Sequence, residues 1–85
     1  MKIKEIILPT DGTPKLVRSA VVDFMTIEEA KGKPVLYLLE DDDNKPTRNY
    51  YFAPFSKEVT DPAKWEYYRS VKINGRVMHW FIMQG

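Results

Sequence analysis

The pair Asn74-Gly75 constrains this 85-residue chain more than any other feature. It stands between two segments of alternating character, Trp65 to Ile73 and Arg76 to Met83. Asn-Gly is the preferred two-residue connection for a type I′ β-hairpin, because both central residues must take positive φ. A two-residue turn also fixes the register. Ile73 is expected opposite Arg76, Val71 opposite Met78, Arg69 opposite Trp80, and Tyr67 opposite Ile82. These form one face of the ribbon, the more apolar one, and are assigned to the core. On the other face Lys72 meets Val77, Ser70 meets His79, Tyr68 meets Phe81, and Glu66 meets Met83. Arg69 is the odd member of the core face, and stacking on Trp80 as a cation–π pair would accommodate it.

The rest of the chain reads as further short strands. Lys2 to Leu8 forms a first strand, closed by the turn Pro9-Thr10-Asp11-Gly12. Pro34 to Glu40 is apolar on both sides, as a buried strand is, and the polar stretch Asp41 to Pro46 ends it. Arg48 to Phe55 is aromatic, with Pro54 marking its end or an edge. Ser56 to Ala63 reads as a loop, or a helical turn near Asp61-Pro62. Residues 15 to 31 fit two patterns. Leu16, Val17, Ala20, Val21, Phe24 and Ile27 make a helical face, and Thr26 with Glu29 resembles a capping box. The β-branched and aromatic content favours a strand instead, turned by Lys31-Gly32 into the one starting at Pro34. The expected fold is therefore one mainly β domain over residues 1–85, a small barrel or two-layer antiparallel sandwich of about six strands with room for one short helix.

The closing hairpin resembles a family of small, mostly phage-encoded β domains of unknown function. The matching residues are Tyr67, Ser70, Val71, Ile73, Gly75, Val77, His79 and Phe81. Lys31-Gly32 and the apolar strand Pro34 to Asp41 resemble that family's earlier hairpin. The sequence departs from the pattern in lacking a Gly-His-Pro segment. The resemblance implies a phage or prophage origin; together with the small size it suggests an accessory role, such as countering a host defence, and the absence of cysteine fits the reducing cytoplasm of a bacterial host. The resemblance supplies no activity and no site residues.

Composition excludes several classes of function. With no cysteine there is neither a disulfide nor a thiolate metal site. The net charge of +1 dictates no polyanion-seeking surface. No apolar run approaches the length of a bilayer crossing, and Lys2, Lys4 and Glu5 interrupt the apolar stretch that a signal peptide would need. No glycine-rich phosphate loop occurs, and no cofactor is expected. The acidic run Glu40-Asp41-Asp42-Asp43-Asn44 lacks the glycine and closing glutamate of a calcium loop and reads as a solvated turn. Glu28-Glu29 has nothing to bury it and reads as an exposed turn. His79, the single histidine, has Ser70 as its cross-strand neighbour but no evident orienting carboxylate, so a plain hydrogen-bonded pair is expected and no catalytic residue is assigned.

One mixed set remains. Arg48, Tyr50, Tyr51, Phe52, Phe55, Lys57, Tyr68, Arg69, Lys72, Arg76 and His79 fall in two strand regions, the combination that stacks bases and pairs phosphates. Most of these aromatics are expected to fill the core, with the cations on its rim. The surface candidates are Tyr68, His79, Phe81 and Lys72 on the hairpin, with Arg48 and Tyr50 from the earlier strand. The function expected is that of a non-catalytic binding module for a protein partner or a small nucleotide, with a single-stranded nucleic-acid-binding barrel as the alternative. A homo-oligomer is also expected, because the last strand offers an unblunted edge unless Lys2 to Leu8 pairs with it or it lies mid-sheet between non-sequential neighbours: Val77 to Met83 carries no lysine or carboxylate.

Overall fold

The computed structural model describes residues 1–41 and 46–85. Seven strands form two antiparallel sheets: β1 (Lys2–Ile7), β2 (Lys15–Ser19), β3 (Val21–Ala30), β4 (Lys33–Glu40), β5 (Arg48–Phe55), β6 (Glu66–Ile73) and β7 (Arg76–Gln84). The first sheet runs β1-β4-β3 and the second β2-β5-β7-β6. They do not close into a barrel; the architecture is a small two-layer sandwich. No helix occurs among the described residues. The Cα atoms span 39 × 32 × 16 Å, so the molecule is a flattened slab with two broad faces. Residues 42–44 of the acidic run lie outside the described residues.

The core lies between the sheets. Leu36, Leu38 and Ile27 from the first meet Phe52, Trp80, Val71, Ile73 and Val17 from the second, with Leu8 beside them. Phe24 is the aromatic keystone. Its ring stands edge-to-face on Tyr50 at 4.9 Å, Phe52 at 5.1 Å and Tyr68 at 6.3 Å. It therefore ties β3 to two strands of the opposite sheet.

Residues 15 to 30 resolve as strand, and their helix-like spacing has a structural cause. Along β4 the inward residues Glu40, Leu38 and Leu36 are two apart. Their partners on β3 are Val21, Phe24 and Ile27, three apart. Two β-bulges, between Val21 and Asp23 and between Phe24 and Thr26, insert one extra residue each. The extra residues, Val22 and Met25, are exposed. A doubly bulged strand thus imitates the three-residue step of a helix face. Only Ala20 separates β2 from β3, so a single run of chain leaves the edge of one sheet and enters the edge of the other. Strands that switch sheets in this way form the corners of sandwiches.

The hairpin at Asn74-Gly75 forms as the sequence dictates, with φ of 50° and 80° at the two turn residues. Lys31-Gly32 makes a matching turn, at 53° and 77°. The two turns sit at the same end of the slab, where the Asn74 amide donates to the Gly32 carbonyl at 3.4 Å. The predicted register holds from Ile73↔Arg76 to Arg69↔Trp80 and then shifts at a bulge between Tyr67 and Arg69. Tyr67, not Tyr68, faces Phe81, and Glu66 faces Ile82 instead of Met83. The bulge removes the difficulty of Arg69. Tyr68 takes the inward seat, and the Arg69 guanidinium lies over the Tyr68 ring at 5.6 Å, not over Trp80. Burial holds the Tyr68 hydroxyl above its ordinary pKa of 10.0, and that oxygen has no hydrogen-bond partner.

β7 lies between β5 and β6. Both its edges are paired, so the argument for self-association from an uncovered last strand fails. The mid-sheet alternative, between non-sequential neighbours, is the one the structure adopts. Pro54 is tolerated in β5 because β2 pairs only as far as Phe52, leaving β5 with one neighbour beyond that point.

At the end opposite the turns, the buried Ser19 hydroxyl donates to the Glu40 carboxylate, which also faces Lys4 at 3.6 Å and Lys2 at 3.7 Å. The Ser19 bond first, then Lys4 and Lys2, hold Glu40 below the ordinary carboxyl value of 4.5. A depressed folded-state pKa stabilises the fold above the unfolded value and loses that effect as pH falls through the folded value. Chemical denaturation across a pH series should therefore show Glu40→Gln less stable than the parent at neutral pH, with the gap closing below about pH 4.5. A gap independent of pH would contradict this assignment.

Candidate binding face

The outer surface of β2-β5-β7-β6 follows directly from strand alternation and register. Leu16, Tyr51 and Met83 form one row across three strands; Ala53, Phe81 and Tyr67 form the next; Phe55, His79 and Ser70 the third; Val77 and Lys72 the last. A soluble sheet with one buried face ordinarily presents polar residues on the other. This one is apolar and aromatic across most of its width. Tyr67 is 56% exposed, Val77 48% and Leu16 46%.

The rings hold one another in place. Phe81 stands edge-to-face on Phe55 at 5.4 Å and on Tyr67 at 5.5 Å. Trp65, at the end of the 56–65 loop, packs on Phe55 at 5.7 Å. Ala53 is buried beneath this layer although it points outward. A larger residue there would lift the rings. The loop carries a turn at Asp61, where φ is 53° and the Lys64 amide bonds the Asp61 carbonyl at 2.9 Å.

A hydrogen-bonded chain crosses the same face. The Ser70 hydroxyl sits 2.8 Å from the Tyr67 hydroxyl and 2.6 Å from His79 Nδ1. With the imidazole proton on Nε2, Tyr67 donates to Ser70 and Ser70 donates to Nδ1. The expected Ser70–His79 pair is thus present, extended by a tyrosine. Among the described residues no carboxylate is bonded to His79, and no cluster of potential ligands could hold a metal ion. The chain links the polar groups of Tyr67, Ser70 and His79 within an apolar surface.

The candidate residues divide accordingly. His79, Phe81 and Lys72 share the outer face. Tyr68 turns inward through the bulge, packing at 5.9 Å on Phe52. Tyr50 faces Phe24 inside, and Arg48 pairs with Ser19 at the far end of β5, remote from the hairpin turn. The aromatic and basic set does not converge on one groove. Tyr67, Trp65 and Leu16 belong to the face and were not singled out. The overlooked signal for Tyr67 was Arg69 itself: a guanidinium at a core position marks a register shift.

No family model, curated protein or solved structure matches this chain. The resemblance to phage-encoded β domains rests on the residues of the closing hairpin and of the Lys31-Gly32 turn with the strand that follows it. No helix among the described residues is long and apolar enough to cross a membrane.

Proposed function

We propose that this protein is a non-catalytic binding module that holds a protein partner stoichiometrically on the outer face of β2-β5-β7-β6. One observation carries the reading: a contiguous aromatic and apolar surface on the side of the sheet turned away from the core. Exposed apolar patches of this extent mark contact sites. A broad flat surface suits another protein, whereas small ligands occupy concave sites. The cations on this face are Lys72 in the last row and Arg18, two residues along β2 from Leu16, at opposite ends of the surface, which is little with which to track a phosphate backbone. Within this class, the hairpin resemblance supports a phage-type accessory or anti-defence role in a bacterial cytoplasm.

The test is capture from bacterial lysate with three immobilised proteins: the parent, Tyr67→Lys on the proposed face, and Ile7→Lys on the opposite sheet. Ile7 is also exposed, so it controls for nonspecific stickiness. A protein retained at high salt by the parent and Ile7→Lys, and lost by Tyr67→Lys, supports the reading. Equal capture by all three overturns it. Nucleic acid released by salt would favour the single-stranded nucleic-acid reading instead.

A further inference from the structure

Where the two tight turns meet, the sandwich gapes around a cleft of about 410 Å³. That size lies in the range of small-molecule sites. Ile73, Met78 and Arg76 line it from the inward-facing register of the last hairpin. Asp11 reaches it from the loop that precedes β2, and Ser56 and Asn74 add a hydroxyl and an amide. The lining is thus an apolar patch with opposite charges on two separate segments.

Those charges are not spent on each other. Among the described residues no ion pair joins Asp11 to Arg76, and Arg76 makes none elsewhere. Asp11 is set in place by its own loop, where the Thr13 amide donates to Oδ1 at 3.0 Å. That bond, with help from the Thr13 hydroxyl, holds its carboxyl below 3.8, so it stays anionic near neutrality. Beside it Gly12 has φ of 89°, and a side chain there would meet nothing within 4 Å. Asp11 itself is exposed.

We propose that this cleft binds a free α-amino acid with an apolar side chain. The ammonium meets Asp11, the carboxylate meets Arg76, and the side chain lies on Ile73 and Met78. A simple anion would face Asp11, and a simple cation would face Arg76. A neutral apolar molecule would leave both charges unused. A zwitterion with an apolar arm satisfies all three surfaces, and charge-assisted bonds at both ends fix its orientation. The cleft shares Phe55 and Val77 with the outer face, but neither Asp11 nor Arg76 belongs to that face, so variants of the two charges test the cleft alone.

The test is amide NMR of the full chain titrated with L-leucine, N-acetyl-leucine and leucine amide. L-leucine should shift residues 10–12 and 73–78 saturably, and each blocked analogue should bind about tenfold more weakly. Asp11→Asn should erase the preference over N-acetyl-leucine, and Arg76→Gln the preference over leucine amide. Both residues are exposed, so the variants keep the fold. Absence of saturable shifts at these positions, equal shifts from all three probes, or preferences unchanged in the variants would each overturn the proposal.

Discussion

Trp80→Ala is expected to abolish cooperative folding or leave it marginal. Trp80 is fully buried at the centre of β7, with Pro54 on one side and Arg69 on the other. Truncating a buried aromatic to alanine costs about 3–5 kcal/mol, from lost burial and the cavity left behind. At about 0.05–0.15 kcal/mol per residue, a chain this short has roughly 4–13 kcal/mol in total. One side chain therefore carries a large share. Trp80→Phe should cost much less, because the indole Nε1 is buried without a hydrogen-bond partner and its removal relieves that penalty. Urea unfolding followed by circular dichroism measures both. A loss below about 1 kcal/mol for Trp80→Ala would show that the centre of the core lies elsewhere.

The second large effect is local. Gly75→Val should destabilise by about 1–3 kcal/mol, since a β-branched residue is forced to positive φ. Gly75 has φ of 80°, and an added Cβ would meet nothing within 4 Å. The penalty is thus conformational, free of steric clash. That distinction predicts a graded series: Gly75→Asn should recover much of the loss, because asparagine tolerates the left-handed region. For a domain of this size each kcal/mol lowers Tm by about 4–8 °C. A Tm unchanged by valine would mean that the turn does not set the register.

These two residues also show which parts of the fold could be read in advance. Asn74-Gly75 is a signal carried by two adjacent residues, and the five residue pairs nearest it followed without error. The register failed at Tyr68 because the bulge answers a demand made elsewhere. Phe24 and Phe52, from distant strands, leave a space that an aromatic ring fills and an arginine cannot. The same applies to β3, where bulges chosen by the opposing strand gave the sequence a helical rhythm. The candidate site inherited the error: one slipped residue exchanged Tyr67 for Tyr68. His79, Phe81 and Lys72 were placed correctly because they lie on the turn side of the bulge or on the unbulged partner strand. The sheet order was not legible, because nothing local to β7 announces that β5 is its second neighbour.

The passage of one strand through Ala20 bears on how the molecule responds to load. Two sheets joined only by loops can slide or peel apart as separate plates. Here residues 15 to 30 form a rigid hinge pin common to both plates, with Phe24 wedged across the gap. Strain applied to the outer face of β2-β5-β7-β6 is delivered along the backbone into β3 and β4, with no loop to absorb it. The two layers are therefore expected to exchange their core amide hydrogens as one unit, and separate exchange of the two sheets would contradict this.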